Sequence, residues 1–359
     1  MLQNILIVRP VGGNCNLKCT YCFYDYEHDR PIQIKKVLMS DDVLEKTISQ
    51  HMRINKENVS FCWHGGEPTT AGKDFFEKVL LYENKYLHQN QAVYNSIQTN
   101  AVLIDDWWAK TFKKFNFQVG VSLDGPEFLH DYYRVNYAQR GTFKSVIKGM
   151  EKLKEHGVSF GIFTVINNIN KNFPKEMFEF YLNINANEVS FNPCTQQSMS
   201  FDRFVGPSIN QSDYWDFISQ FYDLWLEHGK PFHVRLFELM EALKTNPSRS
   251  SSLCWMNNQC SSLWSIEPNG DVFLSCSHHF GLKLGNILEK DLVSLYNSET
   301  YKSKEKETHP NHNLSGEWSK HQKGGCLLRS IKRNNQWEYT YGEFNSKLFD
   351  KILGVKENA

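Results

Sequence analysis

Between residue 4 and about residue 195 the chain alternates short apolar runs with amphipathic stretches, and no other feature limits its fold so strongly. The apolar runs are ILIVRP (5–10), VSFCWH (59–64), YNSIQT (94–99), FQVGVSL (117–123), SFGIFTVI (159–166) and EVSFNP (188–193). Each has the length and composition of one strand. The stretches between them read as helices. SDDVLEKTISQHM opens on Ser40 or Asp41 as cap and sets Leu44, Ile48 and Met52 four apart, which lines one helical face with apolar groups. GTFKSVIKGMEKLKEHG runs from a Thr142 cap to a Gly157 stop. Six such repeats predict an α/β fold of βα units with a parallel sheet, open or closed into a partial barrel.

Beyond residue 211 the pattern changes. Residues 211–245 read as helical, NPSRSSS (246–252) as a linker, and SLWSIEPNGDVFLSC as a hairpin turning at Asn269-Gly270. These signals predict a small C-terminal domain, which a chain of 359 residues has room for.

The 40 basic and 40 acidic residues balance, so charge makes no case for nucleic acid or an acidic membrane as partner. The N-terminal MLQNILIVRPVGG lacks the features of a signal peptide. No segment approaches the roughly 20 apolar residues of a membrane span. The expectation is a soluble, cytoplasmic protein, where thiols stay reduced and the nine cysteines do not form a disulfide framework. Cys62 and Cys194, in or just after strands, read as buried small hydrophobes. The other seven fall into two groups.

The first group, Cys15, Cys19 and Cys22, fits within eight positions of GNCNLKCTYCFYDY. Soft thiolates at close spacing select zinc or an iron–sulfur cluster. A closed zinc site needs a fourth ligand, and the candidates His28 and Cys62 do not stand at zinc-finger spacing. Three ligands leave one metal position open to a small molecule.

CNLKCTYC, a C-x3-C-x2-C loop just after the first strand, resembles the cluster loop of the radical S-adenosylmethionine (SAM) superfamily. HGGEPTT (64–70), QTN (98–100), SLDGP (122–126), HDYYR (130–134) and LGNI (284–287) follow in that family's order. The resemblance covers most of the chain. It is nearest to the SPASM/twitch-domain branch, which holds the anaerobic sulfatase-maturating enzymes and maturases of ribosomal peptides (RiPPs). It implies a partial (β/α)6 radical SAM barrel over residues 1–235 and a small C-terminal SPASM/twitch-like iron–sulfur domain over 236–359. It implies a [4Fe–4S] cluster on Cys15, Cys19 and Cys22, with SAM as the fourth ligand. Around SAM it implies Tyr21 and Thr195 at the adenine, and Ser122 and Arg134 at the carboxylate and ribose. Gly65 and Gly66 would let backbone approach the cofactor, and Glu67 would offer a carboxylate near its amino group.

Cys254, Cys260, the Gly270 hairpin, Cys276 and KGGC ending at Cys326 resemble the auxiliary-cluster domain of the same branch. The resemblance implies one auxiliary [4Fe–4S] cluster on these four cysteines; a structural zinc is the alternative. The full domain carries more cysteines, and 277–325 and 327–359 have none, so one auxiliary cluster is expected and not two. The sulfatase maturases place a catalytic aspartate directly after the third auxiliary cysteine. Here Ser277 stands there, followed by His278 and His279. A serine hydroxyl cannot act as the same base. The catalytic base is therefore unassigned, with His278 and His279 as weak candidates.

The resemblance implies a radical SAM oxidoreductase fed by a flavodoxin- or ferredoxin-type electron donor. A 5′-deoxyadenosyl radical would abstract hydrogen from a side chain of a peptide or protein substrate. A two-electron oxidation such as a C–C (cyclophane) cross-link in a ribosomal peptide is the expected outcome. The rivals are a sulfatase maturase that forms formylglycine, a dehydrogenase of a small molecule, and a non-enzymatic metalloprotein. Cys15 lies too near the start for a leader-binding domain before it, so a leader peptide would be recognised by a separate protein or by the barrel.

Overall fold

The computed structural model describes residues 5–22, 24, 37–194, 206–246, 260–274, 276, 282–306, 330–333, 336–339 and 342–354. All six expected strands form: β1 (Ile5–Val8), β2 (Asn58–Trp63), β3 (Ala92–Thr99), β4 (Gln118–Ser122), β5 (Phe160–Ile166) and β6 (Val189–Pro193). Helices α1 (Asp41–Ile54), α2 (Lys73–Tyr86), α3 (Asp106–Lys114), α4 (Glu127–Tyr133), α5 (Phe143–Glu155) and α6 (Pro174–Asn183) stand between them. The two helices expected over 211–245 are α7 (Gln211–Glu227) and α8 (Arg235–Thr245). The hairpin follows as β7 (Trp264–Ile266) and β8 (Asp271–Leu274), then β9 (Lys283–Asn286), α9 (Leu292–Tyr296) and α10 (Glu299–Glu305). The pair β10 (Ser330–Arg333) and β11 (Gln336–Tyr339) and helix α11 (Gly342–Leu353) complete the described elements. The expected linker falls almost wholly outside the described residues, as do His278, His279, Thr195, Cys254 and Cys326.

Local chemistry explains the boundaries. The Ser40 hydroxyl accepts from the Val43 N–H at 3.3 Å, capping α1. Thr142 precedes α5 without a side-chain cap bond, unlike the expectation. Gly157 has φ +65° after α5 and Gly270 has φ +86° in the hairpin turn, a region closed to most side chains.

The chain forms two compact units that do not follow chain order. One comprises Met1–Ser122, Val135–Phe160 and Cys260–Thr308; the other comprises Leu123–Arg134, Gly161–Gln259 and His309–Ala359. In the first unit the strand order is β4-β3-β2-β1-β7-β8-β9. β1 to β4 are parallel, and β7 pairs in parallel with β1, Leu6 opposite Trp264 and Val8 opposite Ile266. The hairpin, expected in a separate C-terminal domain, thus extends the first unit's sheet. Without β7, one edge of β1 would present unpaired backbone groups. In the second unit β5 and β6 pair in parallel, Ile162 opposite Val189. Phe191 and Phe221 pack at 4.7 Å, and the Lys351 ammonium ties α11 to Asp223 on α7 at 2.8 Å.

Alternation along the strands sorts the first unit's sheet into two faces. Val59, Phe61 and Trp63, Ile97 and Thr99, and Val119 and Val121 are buried. On this face Phe76 of α2 packs 5.4 Å from Trp63 and 5.1 Å from Trp108 of α3. The alternate residues, Ser60, Cys62, His64, Ser96, Gln98, Gly120 and Ser122, are half-buried and small or polar. Cys62 is therefore half-buried, whereas Cys194 is buried as expected.

A carboxyl lies in the helix-covered layer. Glu83 of α2 accepts from Asn95 Nδ2 at 3.1 Å, and burial pushes its carboxyl from 4.5 up to about 7. A raised folded-state pKa means stability that is fully present below pH 4.5 and lost as pH rises through 7. The gap corresponds to about 3 kcal/mol. Glu83→Gln stays neutral throughout. It should match the wild type near pH 5 and exceed it by about 1–3 kcal/mol at pH 8.5. Denaturant midpoints at the two pH values measure this; parallel pH profiles would show that Glu83 ionises in the fold as readily as in the unfolded chain.

Candidate functional site

The cysteine loop leaves the C-terminal end of β1. Its start is folded by turns, Gly12 N to Arg9 O at 3.3 Å and Asn14 N to Val11 O at 3.0 Å. The Leu17 N–H donates to Cys15 Sγ at 3.3 Å, and Cys22 N donates to Cys19 O at 3.0 Å. Lys18 N bonds Val135 O at 2.8 Å, and the Tyr137 hydroxyl donates to Cys15 O at 3.3 Å, anchoring the loop. Tyr21 is half-buried beside Cys22.

The glycines after β2 pack against the cysteine loop. Gly66 N donates to Gly12 O at 2.7 Å and Glu67 N donates to Asn14 O at 2.8 Å. A Cβ at Gly65, where φ is +117°, would stand 2.5 Å from Gly12 O, and one at Gly66 would overlap the Asn14 carbonyl. In this structure the close approach is of the glycine segment to the cysteine loop.

Glu67 is turned inward. Its carboxylate accepts from Thr69 N (3.1 Å), Thr69 Oγ1 (2.7 Å), Thr99 Oγ1 (2.8 Å) and Asn100 N (2.6 Å). It is 1% exposed, and burial raises its pKa against these donors. Asn100, the last residue of QTN, donates to Asn16 Oδ1 at 2.8 Å and to Cys15 Sγ at 3.6 Å. Glu67 thus joins the ends of β2 and β3 under the cysteine loop.

Ser122 Oγ accepts from Gln98 Nε2 at 3.0 Å on the half-buried face. In the second unit Arg134 is buried and donates from Nε to Asp124 Oδ2 at 2.8 Å. Asp124 Oδ1 also takes the Val165 N–H at 2.9 Å. Burial and Arg134 hold nearby His130 down at about 3. Within SLDGP, Asp124 carries no mark in the sequence of its buried pairing with Arg134.

Arg9 was missed altogether, although a lone arginine ending an apolar strand is a signal. It is 1% exposed, and a buried charge must be paired. Its guanidinium pairs with Glu267, at the end of β7, and donates to the main-chain carbonyl of Cys276. It also lies 5.9 Å from the ring of Tyr24, whose hydroxyl burial pushes up to about 12. Tyr24 feels the charges of both Cys22 and Cys276. Cys22 of the first group and Cys276 of the second therefore both lie near Arg9 and Tyr24. Of Cys260 only the backbone is described, opening a 3-10 turn (Cys260–Ser262).

The loop fits a cationic cluster. Burial pushes the Cys15 thiol far above its ordinary value, and Glu67, Cys19 and Cys22 add to the effect. Three thiolates here need a strongly positive centre to neutralise them. Among the described residues no three Cys, His, Asp or Glu side chains are gathered as ligands of a single ion.

A thiol-rich loop at the carboxyl end of the first strand of successive βα units defines a cofactor-dependent α/β enzyme, since such sheets hold ligands at that end. The Radical SAM superfamily model matches residues 10–181. A cysteine-type anaerobic sulfatase-maturating enzyme of Clostridium novyi is 33% identical over 83% of this chain and 80% of its own. The structure of anSMEcpe with bound AdoMet and Cp18Cys peptide superposes with a TM-score of 0.86, at 29% identity over 97% of this chain and 96% of that one. Streptococcus suis SuiB bound to S-adenosylmethionine shares the fold, at TM-score 0.66 and 20% identity over 95% of this chain and 77% of that one. The chain belongs to the radical SAM superfamily, in the branch of the anaerobic sulfatase-maturating enzymes. Enzymes of this family use a [4Fe–4S] cluster and SAM. Among the described residues no helix is long and apolar enough to cross a membrane.

Proposed function

We propose that this protein oxidises a side chain of a peptide by two electrons, with a C–C cross-link as product. The observation that carries the reading is the Arg9 bridge, which joins the cysteine loop of β1 to the main chain of Cys276. A radical step at the first group and removal of the remaining electron at the second need such proximity. The cluster with SAM supplies a carbon radical that takes one hydrogen atom from a C–H bond. Cys15, Cys19 and Cys22 would hold that cluster, and Cys254, Cys260, Cys276 and Cys326 one auxiliary cluster within 236–359. Tyr21, Ser122, Arg134 and Thr195 would face SAM. The half-buried polar face of β2 to β4 would receive the substrate. The second electron would pass to the auxiliary cluster and the proton to a base. A flavodoxin- or ferredoxin-type protein would supply the first electron. Formylglycine formation in a sulfatase is the second reading, favoured by the relatives at 29–33% identity and opposed by Ser277 in place of the aspartate.

The test is anaerobic turnover with Cp18Cys and, separately, with any small peptide encoded beside this gene. Loss of two hydrogens with fragmentation blocked across a short segment of the second peptide supports the cross-link. An aldehyde in Cp18Cys, trapped by hydroxylamine, moves the assignment to the sulfatase reading. Cys22→Ala should abolish SAM cleavage and about halve the iron, because only the first cluster is lost. Retained cleavage in that variant would refute the ligand assignment.

A further inference from the structure

His64 has no part in the scheme so far. It follows Trp63 at the end of β2 and precedes the glycine segment bonded to the cysteine loop. Its main-chain N–H donates to Val8 O at 3.0 Å, which fixes it beside β1. Nδ1 accepts the Gly65 N–H at 2.7 Å. A nitrogen that accepts a hydrogen bond carries no proton, so the neutral ring holds its proton on Nε2. Among the described residues no group bonds Nε2, and His64 as a whole is half-buried. The strand registers put His64 on the face of Gln98, one step beyond the Trp63–Ile97 pair. Burial and the Arg9 guanidinium drive the imidazole down to about 4. Arg9, on the neighbouring strand, is also the group that holds the Cys276 carbonyl.

We infer that His64 is a neutral positioning donor, whose Nε2–H binds an amide carbonyl oxygen of the peptide substrate between the two cysteine groups. The inference rests on the peptide-substrate reading above. A second proton on the ring would break the Gly65 bond and stand next to Arg9, so His64 is not the missing base. The positive field of Arg9 likewise selects an acceptor oxygen over a cationic group.

The experiment compares reconstituted wild type, His64→Leu and His64→Gln in binding and turnover of Cp18Cys. His64→Leu should weaken peptide binding about tenfold, the loss of one buried hydrogen bond. His64→Gln, which keeps an N–H donor, should restore most of it, and KM should change more than kcat. Equal binding by the leucine variant would overturn the inference. Wild type that ignores Cp18Cys counts against that peptide as substrate, and His64 is then decided by 15N-histidine spectra of the wild-type holoenzyme. A proton fixed on Nε2 from pH 5.5 to 8 supports the donor. A ring that titrates in that window, or carries its proton on Nδ1, overturns it.

Discussion

Arg9→Met lowers the stability of the holoenzyme by about 3–5 kcal/mol, because it strands the partly buried Glu267 carboxylate without its cation. The Cys276 carbonyl loses its donor in the same step. Denaturant midpoints give the first effect. The double variant Arg9→Met with Glu267→Leu separates the two. Removing both charges should return most of the stability, since a well-packed apolar pair can replace a buried ion pair. Turnover should stay low, because nothing then holds the Cys276 main chain against β1. A single variant within about 1 kcal/mol of wild type would mean that the pair is solvated and does not organise the site.

Gly66→Ala is the second large effect. The added methyl would overlap the Asn14 carbonyl, so the bonds from Gly66 to Gly12 and from Glu67 to Asn14 cannot both persist. A shift of the cysteine loop should cut SAM cleavage about 100-fold or more, equivalent to about 2.7 kcal/mol in the barrier. Iron content and the visible absorbance of the first cluster should fall with it. Alanine at Gly72, where a Cβ meets nothing within 4 Å though φ is +93°, should leave both readouts near wild type. A Gly66→Ala enzyme with a full cluster and full cleavage would show that the two loops do not depend on each other.

Periodicity made the six strands and the main helices legible, because side-chain burial repeats every two residues in a strand and every 3.6 in a helix. The turn at Gly270 was legible for a related reason, since a positive φ leaves a glycine in the text. The cysteine spacing made the cluster loop legible, since thiol chemistry narrows the choice of metal. The partner of β1 was not legible. β7 lies more than 250 residues away in the chain, and an edge strand carries no mark of what pairs with it. Motif reading brought out Glu67 but not its direction, which depends on donors from Thr99 and Asn100 one strand over.

By itself, then, the sequence determined the βα order and the cofactor class, and it singled out the cysteines proposed to serve it. These rest on local pattern and on the chemistry of single residue types. Only the tertiary structure decided that the glycines press on the cysteine loop, that Arg9 ties the first cysteine group to Cys276, and that His64 Nδ1 is taken by the Gly65 N–H. Those are facts about neighbours distant in the chain, where burial and an adjacent charge set what a side chain can do.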